Sequence, residues 1–392
     1  MLIAFCGKPS AGKSSFFQAC TSVAVARAAY PFTTIKPNHA VGYVEVECVD
    51  KEFNVQCNPR SGYCINHRRF VPVELLDVAG LVPGAHEGKG LGNKFLDDLR
   101  QAHLLIHVID ASGGTNENGE NVPVGSYDPV KDVEFLEKEI NLWIKGILDD
   151  NQKKLAREPG KLEEVLTKQF SGLGFNNYFI RKTLLELNLN EKKIGEWDDT
   201  DKLKFCTKLR EIGKPIIIAA NKCDISTAAA NIERLKQAYP NYLIVPCSAE
   251  VEITLKQASK AGFIDYIPGD ASFTIKKELS PAQKQAMDLL QQVCTKFNGT
   301  GVQKCLNAAV FDYLKYIAVF PGGVNNLVDS DGNVLPDCFL MPPGTTAVEF
   351  AGSLHSSFAE NFIKAVNVKT RRTLGADHKL EHRDVIEIMH KG

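Results

Sequence analysis

The stretch IAFCGKPSAGKSSFFQAC (residues 3–20) combines an apolar run, a glycine-rich loop and a helix-forming segment. Its loop has the spacing Gly7-x-x-x-x-Gly12-Lys13-Ser14, in which the glycines let backbone N–H groups turn towards bound phosphates. In such a loop the lysine, here Lys13, contacts the β- and γ-phosphates, and the hydroxyl of the serine, here Ser14, binds Mg²⁺. A plain strand–turn–helix would explain the glycines but not the Lys-Ser pair. The stretch therefore predicts a phosphate-binding loop that opens a helix, with the positive end of the helix dipole facing the phosphates.

Further segments follow in the order that a guanine-nucleotide site requires. YPFTTIKPN offers the hydroxyls of Thr33 and Thr34 for Mg²⁺, and VELLDVAG is an apolar strand that leads into Asp77 and Gly80. We expect Asp77 to bind Mg²⁺ directly or through a water molecule, and the N–H of Gly80 to sense the γ-phosphate. Ligands of open α/β sheets bind at the carboxyl ends of strands, which is where these segments place their polar residues.

Two more buried strands are predicted by PIIIAANKCD and YLIVPCSAE, and each ends in residues suited to reading a base. The carboxylate of Asn221-Lys222-x-Asp224 can accept two N–H bonds from guanine, whereas adenine has no such pair of donors. Lys222 would lie along the base, and the backbone of Ser248 and Ala249 would meet guanine O6. We therefore expect GTP and GDP as ligands, because ATP would leave a buried carboxylate without its partners.

The segments GKPSAGKSS, YPFTTIKPN and DVAGLVPGAHEGKGLGNKFL together resemble the Obg-related GTPases, and more closely their YchF-type branch. The tail that begins VLPDCFLMPPGTTAVEF resembles the TGS module, a small ubiquitin-like β-grasp domain found in GTPases of this group. The resemblance covers the whole chain and implies a GTPase of the translation-factor class that associates with ribosomes. It assigns Mg²⁺ binding to Thr34 rather than Thr33. Many YchF-type proteins have a base-reading motif ending in Glu and are thought to take ATP, whereas Asp224 is intact here, as in the archaeal branch.

The predicted site residues fall into three groups by role. Those expected to bind the nucleotide are Gly7, Lys8, Pro9, Ser10, Ala11, Gly12, Lys13, Ser14, Ser15, Asn221, Lys222, Asp224, Ser248 and Ala249. Those expected to act in hydrolysis are Lys13, Thr34 and Gly80. Those expected to hold the Mg²⁺ cofactor are Ser14, Thr34 and Asp77.

Hydrolysis also needs an oriented water molecule, and Leu81 stands where many such enzymes have a glutamine. A leucine side chain makes no hydrogen bonds, so we expect a slow intrinsic rate. Two histidines are alternatives, His86 in a glycine-punctuated loop and His107 within a strand, although a solvated loop residue and a core histidine are the simpler interpretations. Charge stabilisation by Lys13, Mg²⁺ and backbone N–H groups is the more economical mechanism, with water oriented by the main chain or by a partner.

The strand before the base-reading motif comes much later in the chain than a parallel crossover requires, so a segment is inserted. VEFLEKEINLWIKGIL places its apolar residues three and four apart, which predicts a helix with one apolar stripe. The predicted fold class is α/β: a P-loop GTPase domain with an inserted helical, coiled-coil-like arm and a C-terminal α+β β-grasp TGS domain. The predicted boundaries are residues 1–127 and 213–304 for the GTPase domain, 128–212 for the arm and 305–392 for the TGS domain.

Composition limits the classes of partner. The chain has 392 residues and a net charge of −1, which argues against a generally basic nucleic-acid-binding surface. MLIAFCGKP lacks the basic start of a secretory signal, and no apolar run is long enough to cross a membrane. The 11 cysteines are scattered, as is usual for reduced thiols in the cytosol. We expect a cytoplasmic monomer whose partner is the ribosome or ribosomal RNA rather than DNA or a membrane.

One cluster of potential metal ligands occurs in CNPRSGYCINH, which contains Cys57, Cys64 and His67. Zinc prefers four ligands, usually at tighter spacing, and no fourth ligand is evident nearby. We therefore expect a loop with reduced thiols here rather than a metal site.

Two alternatives to a GTPase switch stay open at this point. The first is an ATPase with the same mechanism, which competition of ATP against labelled GTP would reveal. The second is a nucleotide-gated scaffold at the ribosome whose turnover is incidental, an interpretation that Leu81 favours.

Overall fold

The computed structural model of the chain describes residues 1–22, 38–78, 80 and 98–391. Its largest sheet contains β1 (Leu2–Cys6), β2 (His39–Glu47), β3 (Tyr63–Ile65), β4 (Arg68–Asp77), β5 (Leu104–Asp110), β6 (Ile216–Asn221) and β7 (Ile244–Pro246). The order across the sheet is β2-β4-β1-β5-β6-β7, and β3 pairs with the start of β4. The strands from β4 to β7 in this order run parallel, while β2 and β3 are antiparallel to β4. The carboxyl ends of the parallel strands therefore meet at one edge, where ligands of such sheets bind.

The central strands are apolar because helices cover both faces of the sheet. Every residue of β1, β5 and β6 is buried. The α-helices in the described part of the chain are α1 (Lys13–Thr21), α2 (Val130–Leu155), α3 (Leu162–Phe170), α4 (Asn177–Glu186), α5 (Asp199–Gly213), α6 (Ala228–Ala238), α7 (Ala249–Lys260), α8 (Pro281–Phe297), α9 (Val302–Asn307), α10 (Ala347–Leu354) and α11 (Ser356–Glu360). In the described residues, none of these helices has the length and apolarity needed to cross a membrane.

Four helices, α2 to α5, form the insertion between β5 and β6. The predicted apolar stripe of α2 is buried at Val133, Leu136, Ile140 and Trp143. Apolar side chains of all four helices share one hydrophobic core with a face of the sheet that includes Leu105. The predicted insertion is therefore helical, and its core is continuous with that of the sheet.

The C-terminal part forms a second sheet with the order β11-β10-β14-β12-β13. Its strands are β10 (Ile317–Pro321), β11 (Phe339–Met341), β12 (Phe362–Asn367), β13 (Arg372–Leu374) and β14 (Asp384–His390). The central pair, β10 and β14, is parallel, and the other pairings are antiparallel. Helix α10 begins with a capping box between Thr346 and Glu349 and packs Phe350 onto this sheet. The mixed sheet and its packed helix confirm the predicted β-grasp fold. Strands β8 (Ile264–Asp265) and β9 (Thr274–Ile275) form a separate small hairpin.

Candidate nucleotide-binding site

The predicted phosphate loop connects β1 to α1 at the carboxyl edge of the sheet. A Cβ atom added to Gly7 would lie 2.3 Å from the carbonyl oxygen of Val108, and one added to Gly12 would lie 2.3 Å from Nδ2 of Asn221. Gly12 also has a φ of 87°, which favours glycine. The loop therefore fits closely between β5 and the base-reading motif, and only glycine is small enough at these two positions.

Lys13 and Asp77 meet beside this loop. Asp77 ends β4 and is the register partner of Phe5 on β1. The Lys13 ammonium donates a hydrogen bond to the Asp77 carboxylate, and both side chains are partly exposed. Ser14, next to Lys13 in the first turn of α1, is exposed. The structure thus brings the predicted phosphate-binding lysine and one predicted Mg²⁺ ligand into direct contact.

The two loops predicted to respond to the γ-phosphate are described only in part, and Gly80 is the described residue for which that response was predicted. A Cβ atom added to Gly80 would lie 3.3 Å from Cγ of Pro9, so Gly80 lies against the phosphate loop. Other predicted residues of these loops lie outside the described residues, namely Thr33, Thr34, Leu81 and His86. The roles assigned to them stay predictions.

Asn221 connects the three loops of the site. Its Nδ2 donates to the carbonyl oxygen of Ala11 (3.2 Å), and its Oδ1 accepts the N–H of Ala249 (3.1 Å). The Ser248 hydroxyl caps α7 by accepting the N–H of Val251. Because the side chain of Asn221 is buried, these bonds hold the phosphate loop and the loop after β7 in a fixed arrangement.

Asp224 lies three residues after Asn221, beyond the end of β6. Its side chain is exposed and lines a pocket of about 430 Å³ together with residues of α8, including Lys296 and Phe297. An exposed carboxylate next to an apolar wall suits a ligand with a flat ring and N–H donors.

Lys222 is positioned by an acidic residue that the motifs did not indicate, Asp110. The Lys222 ammonium lies 2.8 Å from Oδ2 of Asp110 and 3.2 Å from the carbonyl oxygen of Ser10. Asp110 is fully buried at the end of β5, opposite Asn221 on β6. Burial alone would raise the pKa of Asp110, but hydrogen bonds from Lys222 and Ser112 outweigh it and hold that pKa below its ordinary value. The only signal in the sequence is one acidic residue at the end of the apolar run LLIHVID.

The side chain of Lys8 points away from the predicted phosphate position. Its ammonium lies 3.0 Å from Oδ2 of Asp132 at the start of α2 and donates to the carbonyl oxygen of Thr115 (2.8 Å). It also lies 3.9 Å from the ring centroid of Tyr127. Lys8 and Asp132 are both buried, so this pair links the phosphate loop to the helical insertion. A phosphate contact of Lys8 would therefore come from its backbone.

His107 is a core residue of β5. Its side chain is 2% exposed, and its Nδ1 has no hydrogen-bond partner in the described part of the chain. Burial, with a smaller contribution from the charge of Lys8, lowers the pKa of His107 to about 3. The imidazole is therefore neutral at physiological pH, which agrees with the simpler interpretation of this histidine.

We expect His107→Leu to reduce the loss of stability on acidification. The unfolded chain binds a proton at His107 near the ordinary pKa of 6.5, whereas the folded chain binds it only near 3, so this group makes stability fall as pH drops through that window. Between about pH 7 and about pH 5.5 the wild type should lose about 1 kcal/mol more than the variant. Urea unfolding at the two pH values measures the difference, and His378→Leu, which removes an exposed histidine, is the control. Equal pH dependence of His107→Leu and the wild type would contradict the assignment.

Comparisons with known proteins give three family models that match different stretches of the chain. A model described as 50S ribosome-binding GTPase matches residues 2–144. One described as Obg-like GTPase YGR210-like, G4 motif-containing domain matches residues 219–324, and a TGS domain model matches residues 328–390.

Similar proteins match over nearly the whole chain. An uncharacterized GTP-binding protein of Methanocaldococcus jannaschii is 44% identical over 392 residues, covering 99% of this chain and 98% of the relative. The ribosome-binding ATPase YchF of Buchnera aphidicola is 26% identical over 372 residues, covering 93% and 87%. The crystal structure of a GTP-binding protein from Pyrococcus horikoshii covers 100% of both chains with a TM-score of 0.78 and 35% sequence identity.

Proposed function

This chain belongs to the Obg-like GTPases of the YchF type, and we propose that it is a GTP-binding switch that hydrolyses GTP slowly and acts at the ribosome. The observation that carries the proposal is the pair of hydrogen bonds through which Asn221 joins Ala11 of the phosphate loop to Ala249. These bonds bring the loops suited to phosphates and to a base to one edge of the sheet. A nucleoside triphosphate carries phosphates at one end and a base at the other, so it could contact both loops.

The choice of GTP over ATP rests on Asp224. Its carboxylate accepts hydrogen bonds only, and guanine offers two N–H donors on one edge where adenine offers none. Relatives of similar length include a ribosome-binding ATPase, so ATP is the main alternative ligand. The complete Asn221-Lys222-x-Asp224 motif supports GTP.

The residues around the phosphate loop fit a magnesium ion. Mg²⁺ prefers hard oxygen ligands. The Asp77 carboxylate contacts Lys13, and Ser14, which follows Lys13 in α1, carries a hydroxyl. We propose that these two residues hold the ion together with Thr34. When bound, Mg²⁺ neutralises part of the charge on the β- and γ-phosphates.

Lys13 and the backbone N–H groups of the loop would stabilise the charge that develops during hydrolysis. In the structure Lys13 is paired with Asp77, so binding of GTP would replace a carboxylate partner with phosphate oxygens. This exchange keeps the ammonium paired before and after binding, which limits its desolvation cost. We propose that the N–H of Gly80, which lies next to Pro9, responds to the γ-phosphate.

Orientation of the attacking water would be the slow part of the reaction. The side chain of a leucine, as at position 81, has no hydrogen-bonding group, and His107 is buried and neutral in β5. We therefore propose that a partner, or the main chain ordered by that partner, positions the water. The partner proposed here is the ribosome, contacted in part by the exposed Arg371 and Arg372 of the TGS domain.

The change from bound GTP to bound GDP would be transmitted to other parts of the molecule through direct contacts of the phosphate loop. Lys8 joins this loop to Asp132 on α2, and Pro9 lies against both Gly80 and Gly119. A shift of the loop on hydrolysis would therefore move the start of the helical insertion. We propose that the protein acts as a monomer and that it works in the cytoplasm, a reducing compartment in which its 11 cysteines would remain thiols.

GTP turnover with and without purified ribosomes tests this function. We expect a low basal rate that rises roughly tenfold or more with ribosomes, since a partner that completes a GTPase site typically gives a large acceleration. A GTPase-inactive Lys13→Ala protein controls for contaminating hydrolases. Tight GTP-dependent ribosome binding with no turnover would instead favour a nucleotide-gated scaffold, and preferential turnover of ATP would favour an ATPase.

A further inference from the structure

The connection between β2 and β4 holds a compact cluster of potential metal ligands. The Sγ atoms of Cys48, Cys57 and Cys64 and a carboxylate oxygen of Asp50 all lie within 4.8 Å of one another. The expectation that a fourth ligand is missing near Cys57, Cys64 and His67 was therefore wrong. Cys48 and Asp50 come before the segment CNPRSGYCINH in the chain. The short 3₁₀ helix Val49–Phe53 turns the chain after β2 and brings them close to Cys57 and Cys64.

We propose that these four residues form a structural zinc site. Tetrahedral zinc with Zn–S bonds of about 2.3 Å separates two thiolate sulfurs by about 3.8 Å. The Sγ atoms of Cys48 and Cys57 are 3.5 Å apart, close to that separation. Three sulfur ligands select zinc over Mg²⁺ or Ca²⁺, and a complete set of four protein ligands is typical of structural rather than catalytic zinc.

The carboxylate of Asp50 is already oriented by other groups. It is fully buried, its Oδ1 lies 2.9 Å from Nδ1 of His67, and its Oδ2 accepts the N–H of Cys57 at 3.0 Å. Metal ligands are commonly held by such outer hydrogen bonds, which fix the position of the donor atoms before the metal binds. His67 thus acts as a positioning residue for Asp50.

An unusual buried cation lies next to the cluster. Arg69 is fully buried and is the register partner of Cys64 across β3 and β4. Its two terminal nitrogens donate to the carbonyl oxygens of Leu335 and Pro336, but its Nε has no hydrogen-bond partner and it forms no ion pair within the described residues. A buried guanidinium without an ion-pair partner is costly. Zinc bound by three thiolates and a carboxylate carries net negative charge, so it would supply that anion.

The zinc site would stabilise the segment between Cys57 and Cys64, which contacts the TGS domain. Between Cys57 and Cys64, the N–H of Asn58 donates to the carbonyl oxygen of Val334 (3.1 Å), and the N–H of Arg60 donates to that of Pro336 (3.0 Å). Zinc at the two cysteines would fix this short segment from both sides. The site is separate from the nucleotide site, so it does not rest on the proposed function.

Metal analysis of the full chain, purified under reducing conditions without a metal-affinity tag, tests the proposal. Mass spectrometry of the metal content should find close to one zinc per chain in the wild type and almost none in the double variant Cys57→Ser/Cys64→Ser. Cys206→Ser, which changes a buried cysteine of the helical insertion, is the matched control and should retain the zinc.

Cobalt substitution of the wild-type protein gives a second measurement that does not depend on whether the variants fold. Tetrahedral Co²⁺ with thiolate ligands should give sulfur-to-cobalt charge-transfer bands that one equivalent of zinc abolishes. A wild-type protein that holds no zinc and shows no such bands would overturn the proposal. So would a disulfide between Cys48 and Cys57 in protein isolated from a reducing cytosol, since it would identify the cluster as a redox pair.

Discussion

Lys13→Ala is expected to lower the affinity for GTP by about 100-fold, because each hydrogen bond from a charged group to a phosphate contributes about 1.5–3 kcal/mol. The ammonium of Lys13 already lies at the phosphate loop, where it pairs with Asp77. The variant also loses the positive charge that offsets the γ-phosphate. Isothermal titration calorimetry with GTP and excess Mg²⁺ measures the change.

The fold of Lys13→Ala should be nearly unchanged, because its ion pair with Asp77 is partly exposed and such pairs contribute about 1 kcal/mol or less. Lys236→Ala is the control, since Lys236 is an exposed lysine of α6 that pairs only with Glu233 in the described structure. It should bind GTP like the wild type. A Lys13→Ala protein that is folded and binds GTP with wild-type affinity would show that the loop does not hold the phosphates.

Asp224→Asn is expected to change which base the protein binds. The amide presents an N–H donor where the carboxylate only accepts, so one of the two guanine N–H groups loses its acceptor and meets a donor. Xanthine has a carbonyl oxygen in place of the guanine amino group and can accept from that amide. Loss of a matched polar partner in a built site costs at least about 100-fold, so GTP affinity should fall and XTP affinity should rise.

Competition of GTP, XTP and ATP against a fluorescent guanine nucleotide measures this change of preference. Asp150→Asn removes an exposed carboxylate of α2 in the same way and should leave the preference for GTP intact. If Asp224→Asn keeps the wild-type order of affinities, Asp224 does not contact the base. That result would leave the assignment of the phosphate loop unchanged.

Short motifs with a local physical cause could be interpreted from the sequence. Gly7 and Gly12 must be glycines because Val108 and Asn221 leave no space for a side chain there. The spacing of the two glycines was enough to predict the phosphate loop without knowledge of the fold. The buried strands were evident because parallel strands covered on both faces are apolar throughout. The amphipathic stripe of α2 was visible because apolar residues three and four apart lie on one face of a helix.

Contacts between distant parts of the chain could not be predicted in this way. Lys8 belongs to the phosphate loop by sequence, yet its ammonium pairs with Asp132 because α2 packs beside the loop. Asp110 is one acidic residue after an apolar run, and its contact with Lys222 depends on the neighbouring positions of β5 and β6. Cys48 joins the other two cysteines only through the turn that follows β2. Each of these contacts follows from tertiary packing rather than from spacing in the sequence.

The central claim is that Lys13 and Asp224 belong to one site that holds opposite ends of a guanosine triphosphate. Calorimetric titration of the folded wild-type protein with GTP and with ATP, each with Mg²⁺, tests it most directly. The account predicts one saturable site for GTP and an affinity for ATP at least about 100-fold weaker. Absence of saturation by either GTP or GDP would contradict the site itself, and equal affinity for ATP and GTP would contradict the role of Asp224.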